Sequence, residues 1–161
     1  MIQEQPQDIA QVVDIIFKWI SIIISQSTNA PLVIKVYDFL GNLFSQLMDM
    51  NYRLCDHEAH VLVLMLCEKS GSNNTLVKNK IKTLIKDCFR MYDHAKCVSF
   101  IVDFISTSKN PKSVAASLEE IAIFIDKEGL QNISEKQIRT ISKLVEHSDS
   151  GVRKGACLVL D

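Results

Sequence analysis

Glycine and proline are scarce in this chain, 5 and 3 of 161 residues, which leaves little material for the tight turns of a β-sheet protein and much room for helices. Charge of one sign is also missing. The formal net charge of −1 gives no overall field that would draw in nucleic acid or an anionic membrane, so neither is expected as a partner. There is no CxxC pair, and the five cysteines (Cys55, Cys67, Cys88, Cys97, Cys157) are odd in number, which argues against a disulfide framework or a zinc site. They fall mostly inside apolar helical patterns and read as reduced core thiols of an intracellular protein. The basic start of a secretory leader is absent, since Met1 to Asp8 is polar and acidic. No hydrophobic run is long enough for a membrane span: Ile9 to Ile24 carries Asp14 and Lys18 and falls short of the roughly 18 to 20 apolar residues required. It reads as a buried helix.

What remains is ordinary globular composition, 47% hydrophobic and 23% charged, at a length that predicts one domain with a real core. An internal repeat decides its class. Val33, Val77, Val114 and Val152 stand 44, 37 and 38 residues apart. Four positions before each is a small polar residue (Asn29, Asn73, Asn110, Ser148). Four after are Tyr37, Ile81, Leu118 and Ala156; seven after are Leu40, Leu84, Ile121 and Val159; eleven after are Phe44, Cys88 and Ile125. Offsets of 0, 4, 7 and 11 mark one face of a helix, so the same helix recurs four times.

Each recurrence follows another apolar segment after a short polar loop. The unit is therefore a helix, a turn and a second helix of about 40 residues, as in HEAT repeats, and the chain is predicted to be an all-α solenoid of antiparallel helix pairs stacked as a flat paddle. First helices are placed at Ile9–Ser25, His57–Ser70, Ala95–Thr107 and Glu135–His147. Second helices are placed at Pro31–Met50, Leu76–Tyr92, Pro111–Glu128 and from Gly151. Asn29 and Asn110 precede Pro31 and Pro111 as cap-like residues, Asp56 and Ser134 can cap first helices, and Gly129 can end a helix. The repeats run over about 9–50, 56–92, 94–129 and 134–161, the last interrupted because Leu160-Asp161 falls inside a helix.

In such a stack the turns inside each pair share one edge. The windows Gln26–Asp38, Ser72–Lys82, Ser108–Leu118 and Ser148–Cys157 hold eight basic residues (Lys35, Lys78, Lys80, Lys82, Lys109, Lys112, Arg153, Lys154) against Asp38 and Asp149, leaving ten basic and seventeen acidic residues elsewhere. A basic edge on an otherwise acidic body suits docking to an acidic protein surface. Solvated lysines in helix first turns would give the same count.

Ile16-Phe-Lys-Trp-Ile, Ser27-Thr-Asn, Val36-Tyr-Asp-Phe-Leu, Leu43-Phe, Tyr52-Arg-Leu and Glu58-Ala follow one another along the first half of the chain. Ser106-Thr-Ser-Lys-Asn, Ser117-Leu-Glu-Glu-Ile and Ser150-Gly-Val-Arg-Lys continue the order. Together they resemble a C-terminal, fifth-type TOG domain of the ch-TOG/Mini spindles family of microtubule-associated proteins. Val114 departs, since the family tends to place a basic residue there. The resemblance implies a paddle that binds αβ-tubulin through its intra-repeat loops, beside sister TOG domains of the same polypeptide, and promotes microtubule assembly and spindle organisation in the cytoplasm, on microtubules, spindle and spindle pole.

Carried over loop by loop, it implies Thr28 and Asn29 in the first, Asn73, Asn74, Thr75 and Lys78 in the second, Lys109, Asn110 and Lys112 in the third, and Asp149, Ser150, Arg153 and Lys154 in the fourth. Arg153 and Lys109 lead, an arginine because its planar fork can pair with a carboxylate. A complete TOG domain has more repeats than are present here, so the chain reads as a partial domain. The family's first repeat, whose loop supplies an exposed aromatic residue, is missing. Trp19 does not replace that residue, because it lies mid-helix in an apolar pattern and is expected in the core.

No pattern asks for catalysis or a cofactor. Cys55, His57 and His60 straddle a helix start without a partner pair at zinc spacing. His94 and Cys97 lie one helical turn apart with no third residue to orient a base. Ser70-Gly-Ser lacks the spacing of a phosphate loop, and Glu119-Glu120 occupy adjacent helical positions that do not face each other. A non-enzymatic binding module is expected. A HEAT-type scaffold or adaptor that binds another protein, or a helical domain that packs on a catalytic subunit, are the alternatives.

Overall fold

The computed structural model describes residues 6–161, with side chains from residue 12 onward. The described residues form eight α-helices: α1 (Pro6–Gln26), α2 (Ala30–Asp49), α3 (Asp56–Lys69), α4 (Thr75–Met91), α5 (His94–Thr107), α6 (Pro111–Glu128), α7 (Glu135–Ser142) and α8 (Ser150–Leu160). Two 3-10 turns follow α6 and α7, at Leu130–Asn132 and Lys143–Glu146. Ile9 and Ala10, at the start of the first apolar pattern, lie in α1 but outside the residues with described side chains.

The recurrent face is the core. Val77, Val114 and Val152 are buried, as are Tyr37, Ile81, Leu118 and Ala156 one turn on and Leu40, Leu84, Ile121 and Val159 after them, while Val33 and Ile125 pack partly buried at the margin. First helices pack in sequence, α1 on α3, α3 on α5 and α5 on α7; second helices form the other layer, α2 on α4 and α6 on α8. One cluster of buried side chains runs through both layers, the outcome expected when no single helix pair can hide its own apolar face.

Helix bounds fall within three residues of the periodic segments except at α7, which stops at Ser142 instead of running to His147. There Thr140 and Ser142 turn their hydroxyls back onto the carbonyls of Lys136 and Arg139, and the following turn tightens to 3-10. Asp56 is not a cap but the first helical residue of α3. Cys55 holds the cap position, and its amide donates to Glu58 Oε2 at 2.8 Å. Asp56 instead accepts from the Tyr92 hydroxyl at 2.7 Å and from Lys96, tying α3 to the start of α5. Ser134 caps α7 with Gln137 answering it, and Gly129 ends α6 at φ +81°, a conformation that favours glycine.

Two burial expectations are corrected. Cys67, Cys88 and Cys97 are core thiols, but Cys55 and Cys157 are exposed, one at a helix start and one on the outer side of α8. Trp19 is 65% exposed. The core face of α1 is Val13, Phe17, Ile20 and Ile24, and Trp19 belongs to a second apolar stripe that no element of the described structure covers.

The second layer is not evenly spaced. α6 leans onto α8, where Gly155 brings the helices so close that a Cβ there would stand 2.9 Å from that of Leu118. Between α4 and α6 the contact is carried by side chains: Phe89 stacks on Phe124 with centroids 4.4 Å apart, and Lys82 reaches Glu119 at 3.5 Å and Glu120 at 3.6 Å. The two adjacent glutamates thus share one cation across the gap.

Candidate loop-edge binding site

All four intra-repeat loops are shaped by two side-chain hydrogen bonds at equivalent positions, three of the loops with a serine acceptor and the fourth with a histidine. In Ser27-Thr28-Asn29, Ser72-Asn73-Asn74 and Ser108-Lys109-Asn110 the asparagine amide donates to the serine hydroxyl at 3.2, 3.2 and 3.3 Å. In His147-Ser148-Asp149 the amide of Asp149 donates to His147 Nδ1 at 3.0 Å. The third residue then caps the second helix. Asn29 accepts from Leu32, Asn74 from Leu76 and Val77, Asn110 from Lys112 and Ser113, and Asp149 from Gly151 and Val152. In the second and fourth loops the cap lies one residue later than the small polar position counted back from the valine. With the residues on either side pinned, the middle one (Thr28, Asn73, Lys109 or Ser148) is left exposed on the edge.

Electrostatics follow from this construction. None of α2, α4, α6 and α8 has an acidic residue in its first turn, so the positive ends of four helix dipoles meet the edge without a countercharge beyond the Asp149 cap. The opposing carbonyl ends of the first helices are partly occupied. Lys69 approaches the Ser25 carbonyl at 3.5 Å and the Ser113 hydroxyl donates to the Glu68 carbonyl at 2.7 Å, while in the fourth loop, beyond the end of α7, Arg153 Nη1 donates to the loop carbonyls of His147 and Ser148 at 2.8 Å each. The basic character of the edge therefore comes from backbone as well as from lysine.

Not every residue of the basic windows belongs to that edge. Lys80 pairs with Asp38 across α2 and α4, and Lys82 serves Glu119 and Glu120, so both bridge helices below the loops. Lys112 donates to the side chain of Asn73 at 3.0 Å, joining the third loop to the second. Lys78 is half-buried in the first turn of α4, whereas Thr75, Lys109, Ser150, Arg153 and Lys154 are exposed. Lys109 holds the central place. It borders a groove of about 690 Å³ beneath the first three loops, shared with Thr28, Lys69 and Asn74, and a second of about 480 Å³ toward Ser148 and Asp149.

The floor of the larger groove includes Tyr37, 2% exposed, whose hydroxyl has no hydrogen-bond partner among the described residues; burial pushes its pKa up. Gly71 sets the spacing of the second and third loops. A Cβ there would stand 2.6 Å from the Ser113 nitrogen and 2.8 Å from the Lys112 carbonyl carbon. Ser27, Ser72, Ser108, His147, Gly71 and Ser113 were not among the residues expected to matter, although the threefold Ser-X-Asn is visible in the sequence. His94 lies edge-on to Phe89 and Phe124, and His60 to Phe100, both in packing roles. Among the described residues no cluster of His, Cys, Asp or Glu is placed to hold a metal, and no helix is long and apolar enough to cross a membrane.

Residues 39–160 match the family described as XMAP215/Dis1/CLASP, TOG domain, a stretch that takes in three of the four loops. The chain is 30% identical over 151 residues to Protein MOR1 of Oryza sativa subsp. japonica, covering 93% of this chain and 8% of the relative. It is 25% identical over 148 residues to Protein mini spindles of Drosophila melanogaster, covering 91% and 7%. To Centrosomal protein 224 of Dictyostelium discoideum it is 31% identical over 132 residues, covering 80% and 6%. It thus spans less than a tenth of the relatives it matches. Among solved structures, the TOG domain of Zyg9 from C. elegans superposes with a TM-score of 0.88 at 21% identity, covering 97% of this chain and 58% of that one. A chain solved in work on how TOG–tubulin binding specificity promotes microtubule dynamics and mitotic spindle formation superposes with a TM-score of 0.87 at 23% identity, covering 94% and 61%. With its helix pairs and the extent of that match, the chain belongs to the XMAP215/Dis1/CLASP family of TOG domains.

Proposed function

We propose that the chain is a non-enzymatic tubulin-binding module that docks through its loop edge on an acidic surface of αβ-tubulin, in a protein that promotes microtubule assembly and spindle organisation. The observation that carries this reading is family membership over residues 39–160, joined to a single edge that gathers four helix N-termini, Lys109, Arg153 and Lys154. Lys109 and Lys154 are direct cationic contacts. Arg153 acts twice, holding the fourth loop through Nη1 and offering its remaining N–H groups outward. Asn29, Asn74, Asn110 and Asp149 act through the helix starts they cap, and Thr28, Asn73, Thr75, Lys78, Lys112 and Ser150 complete the surface.

Mini spindles and Centrosomal protein 224 are named for spindle and centrosome, which supports microtubules, spindle and spindle pole as the place of action. The fifth-type, C-terminal assignment rests on the order of its sequence pieces. Sister TOG domains in the same polypeptide raise the effective affinity of a module that is weak alone. Neither nucleic acid nor membrane is a partner in this reading.

Size-exclusion of the chain with soluble αβ-tubulin, at low and at moderate salt, is the test. A complex that weakens with salt, and is lost when Lys109 and Lys154 are both changed to Glu, is expected. No complex at tens of micromolar, a range in which interactions of about 6 kcal/mol are still detected, would reject the proposal.

A further inference from the structure

The fourth loop differs from the other three at both residues that shape it. In the first three, Ser27, Ser72 and Ser108 supply a hydroxyl and Asn29, Asn74 and Asn110 supply the cap, side chains that neither gain nor lose a proton near neutral pH. In the fourth the corresponding residues are His147 and Asp149, both of ionisable type. The Asp149 carboxylate is committed to the amides of Gly151 and Val152 at 2.8 and 3.1 Å. The His147 ring carries the turn itself, because its Nδ1 accepts from the Asp149 amide at 3.0 Å.

That bond specifies the state of the ring. A backbone N–H can only donate, so the Nδ1 facing it holds a lone pair and the ring proton sits on Nε2. A second proton would make Nδ1 a donor pointed at a donor, and the bond would be lost rather than weakened. A serine hydroxyl has no such second state. His147 is half-buried between the third and fourth loops. Lys109 lines the same groove, Arg153 donates to the His147 carbonyl, and Glu146 and Asp149 lie on its own stretch of chain. These two cations and two carboxylates are the charges that a proton on the ring would meet.

Arg153 depends on the same turn. Its Nη1 is anchored on the carbonyls of His147 and Ser148, the two residues that the His147–Asp149 bond closes into the loop. Opening the turn separates those carbonyls and frees the guanidinium that they hold.

We infer that His147 is a proton-sensitive positioning residue of the loop edge: the neutral ring holds the fourth loop, and through it Arg153, in the arrangement that docks, and the protonated ring releases both. The consequence for docking rests on the tubulin reading above; the opening of the loop does not. Counting charges alone gives the opposite sign. One more positive charge on a basic edge would strengthen docking to an acidic surface as pH falls, whereas a released loop weakens it.

Two measurements on the full chain test this. By NMR without tubulin, the Asp149 amide is expected to shift, and its protection from hydrogen exchange to drop, with the same midpoint as the His147 ring between about pH 8 and pH 5, the span in which histidines change charge. The amides of Asn29, Asn74 and Asn110 should not follow. An Asp149 amide that keeps its shift and protection while the ring titrates would overturn the inference. In binding isotherms, the wild type should lose about threefold to tenfold in tubulin affinity between about pH 7.5 and pH 6, the worth of one net hydrogen bond. His147→Ser gives the fourth loop the acceptor of the other three, so it should match the wild type at the higher pH and keep that affinity at the lower. His147→Ala, with no acceptor, should bind weakly at both. Tighter binding by the wild type at the lower pH, or the same pH profile for His147→Ser and wild type, would also overturn the inference. If the chain binds no tubulin at either pH, the docking reading fails, and the Asp149 amide alone decides whether protons open the loop.

Discussion

Gly71 and Ser113 are far apart in sequence but meet backbone to backbone: a Cβ on Gly71 would stand 2.6 Å from the Ser113 amide nitrogen, and the adjacent Ser70 hydroxyl, 43 residues from Ser113, reaches its carbonyl at 3.3 Å. The end of α3 is thereby locked to the start of α6, and the second and third loops are held at a fixed separation. Gly71→Ala has backbone rather than a yielding side chain to push against, so it is expected to destabilise the chain by about 1–3 kcal/mol. Chemical denaturation should show this as a lower midpoint. Tubulin binding should fall further than unfolding accounts for, because the two loops are forced apart.

Lys109 and Arg153 share the edge but not the chemistry. Lys109 makes no hydrogen bond or ion pair through its ammonium among the described residues, so Lys109→Ala should leave the melting temperature in place and cut tubulin affinity about fivefold to thirtyfold, the loss of one charge-assisted contact. Arg153 donates to two carbonyls of its own loop. Arg153→Ala should therefore lower both affinity and stability, and Arg153→Lys should recover little of either, since an ammonium cannot hold both carbonyls with the same fork. Paired binding isotherms and thermal melts of the three variants separate the roles.

The fold was legible because its repeat is written in one face of one helix. Val77, Ile81, Leu84 and Cys88 are buried, and so are their counterparts except Val33 and Ile125 at the margin, as a 3.6-residue period requires. Trp19 was misplaced because α1 carries two apolar stripes, and periodicity alone does not say which one meets α3. The basic edge was legible as a count of charges but not as a site. Lys80 and Lys82 satisfy carboxylates on neighbouring helices, and which lysines stay unpaired depends on the tilt of α4 against α2 and α6, a packing outcome. The exposed helix dipoles lay in the absence of acidic first-turn residues.

Tyr37 carries a buried hydroxyl with no hydrogen-bond partner among the described residues. An unsatisfied polar group in the interior costs about 1–3 kcal/mol, and its ring is needed only for packing beneath the groove. Tyr37→Phe is expected to leave stability unchanged or to raise it by about 1 kcal/mol. A loss of more than that in urea denaturation would mean that the hydroxyl is hydrogen-bonded in solution. Tubulin affinity should not change, because the exposed residues above the groove are untouched.

Glu120 gives the pH dependence its sign. The side chain is 4% exposed, and burial raises its pKa above the ordinary value of 4.5, while Lys82 and Lys86 pull it back only in part. A carboxyl whose folded-state pKa is raised binds its proton more tightly when folded. Its favourable contribution is present below the ordinary carboxylate range and is lost as pH rises through the folded value. Glu120→Gln removes that dependence. The variant should be at least as stable as the wild type at neutral pH, and its advantage should shrink as pH falls toward the ordinary value. Lys82→Met should do the reverse at neutral pH, leaving the Glu120 charge buried without its nearest cation, and should be rescued by adding Glu120→Gln. Thermal melts of the two single variants and the double between acidic and neutral pH measure each step; equal pH profiles for wild type and Glu120→Gln would show that the α4–α6 gap admits enough water to keep the carboxylate solvated.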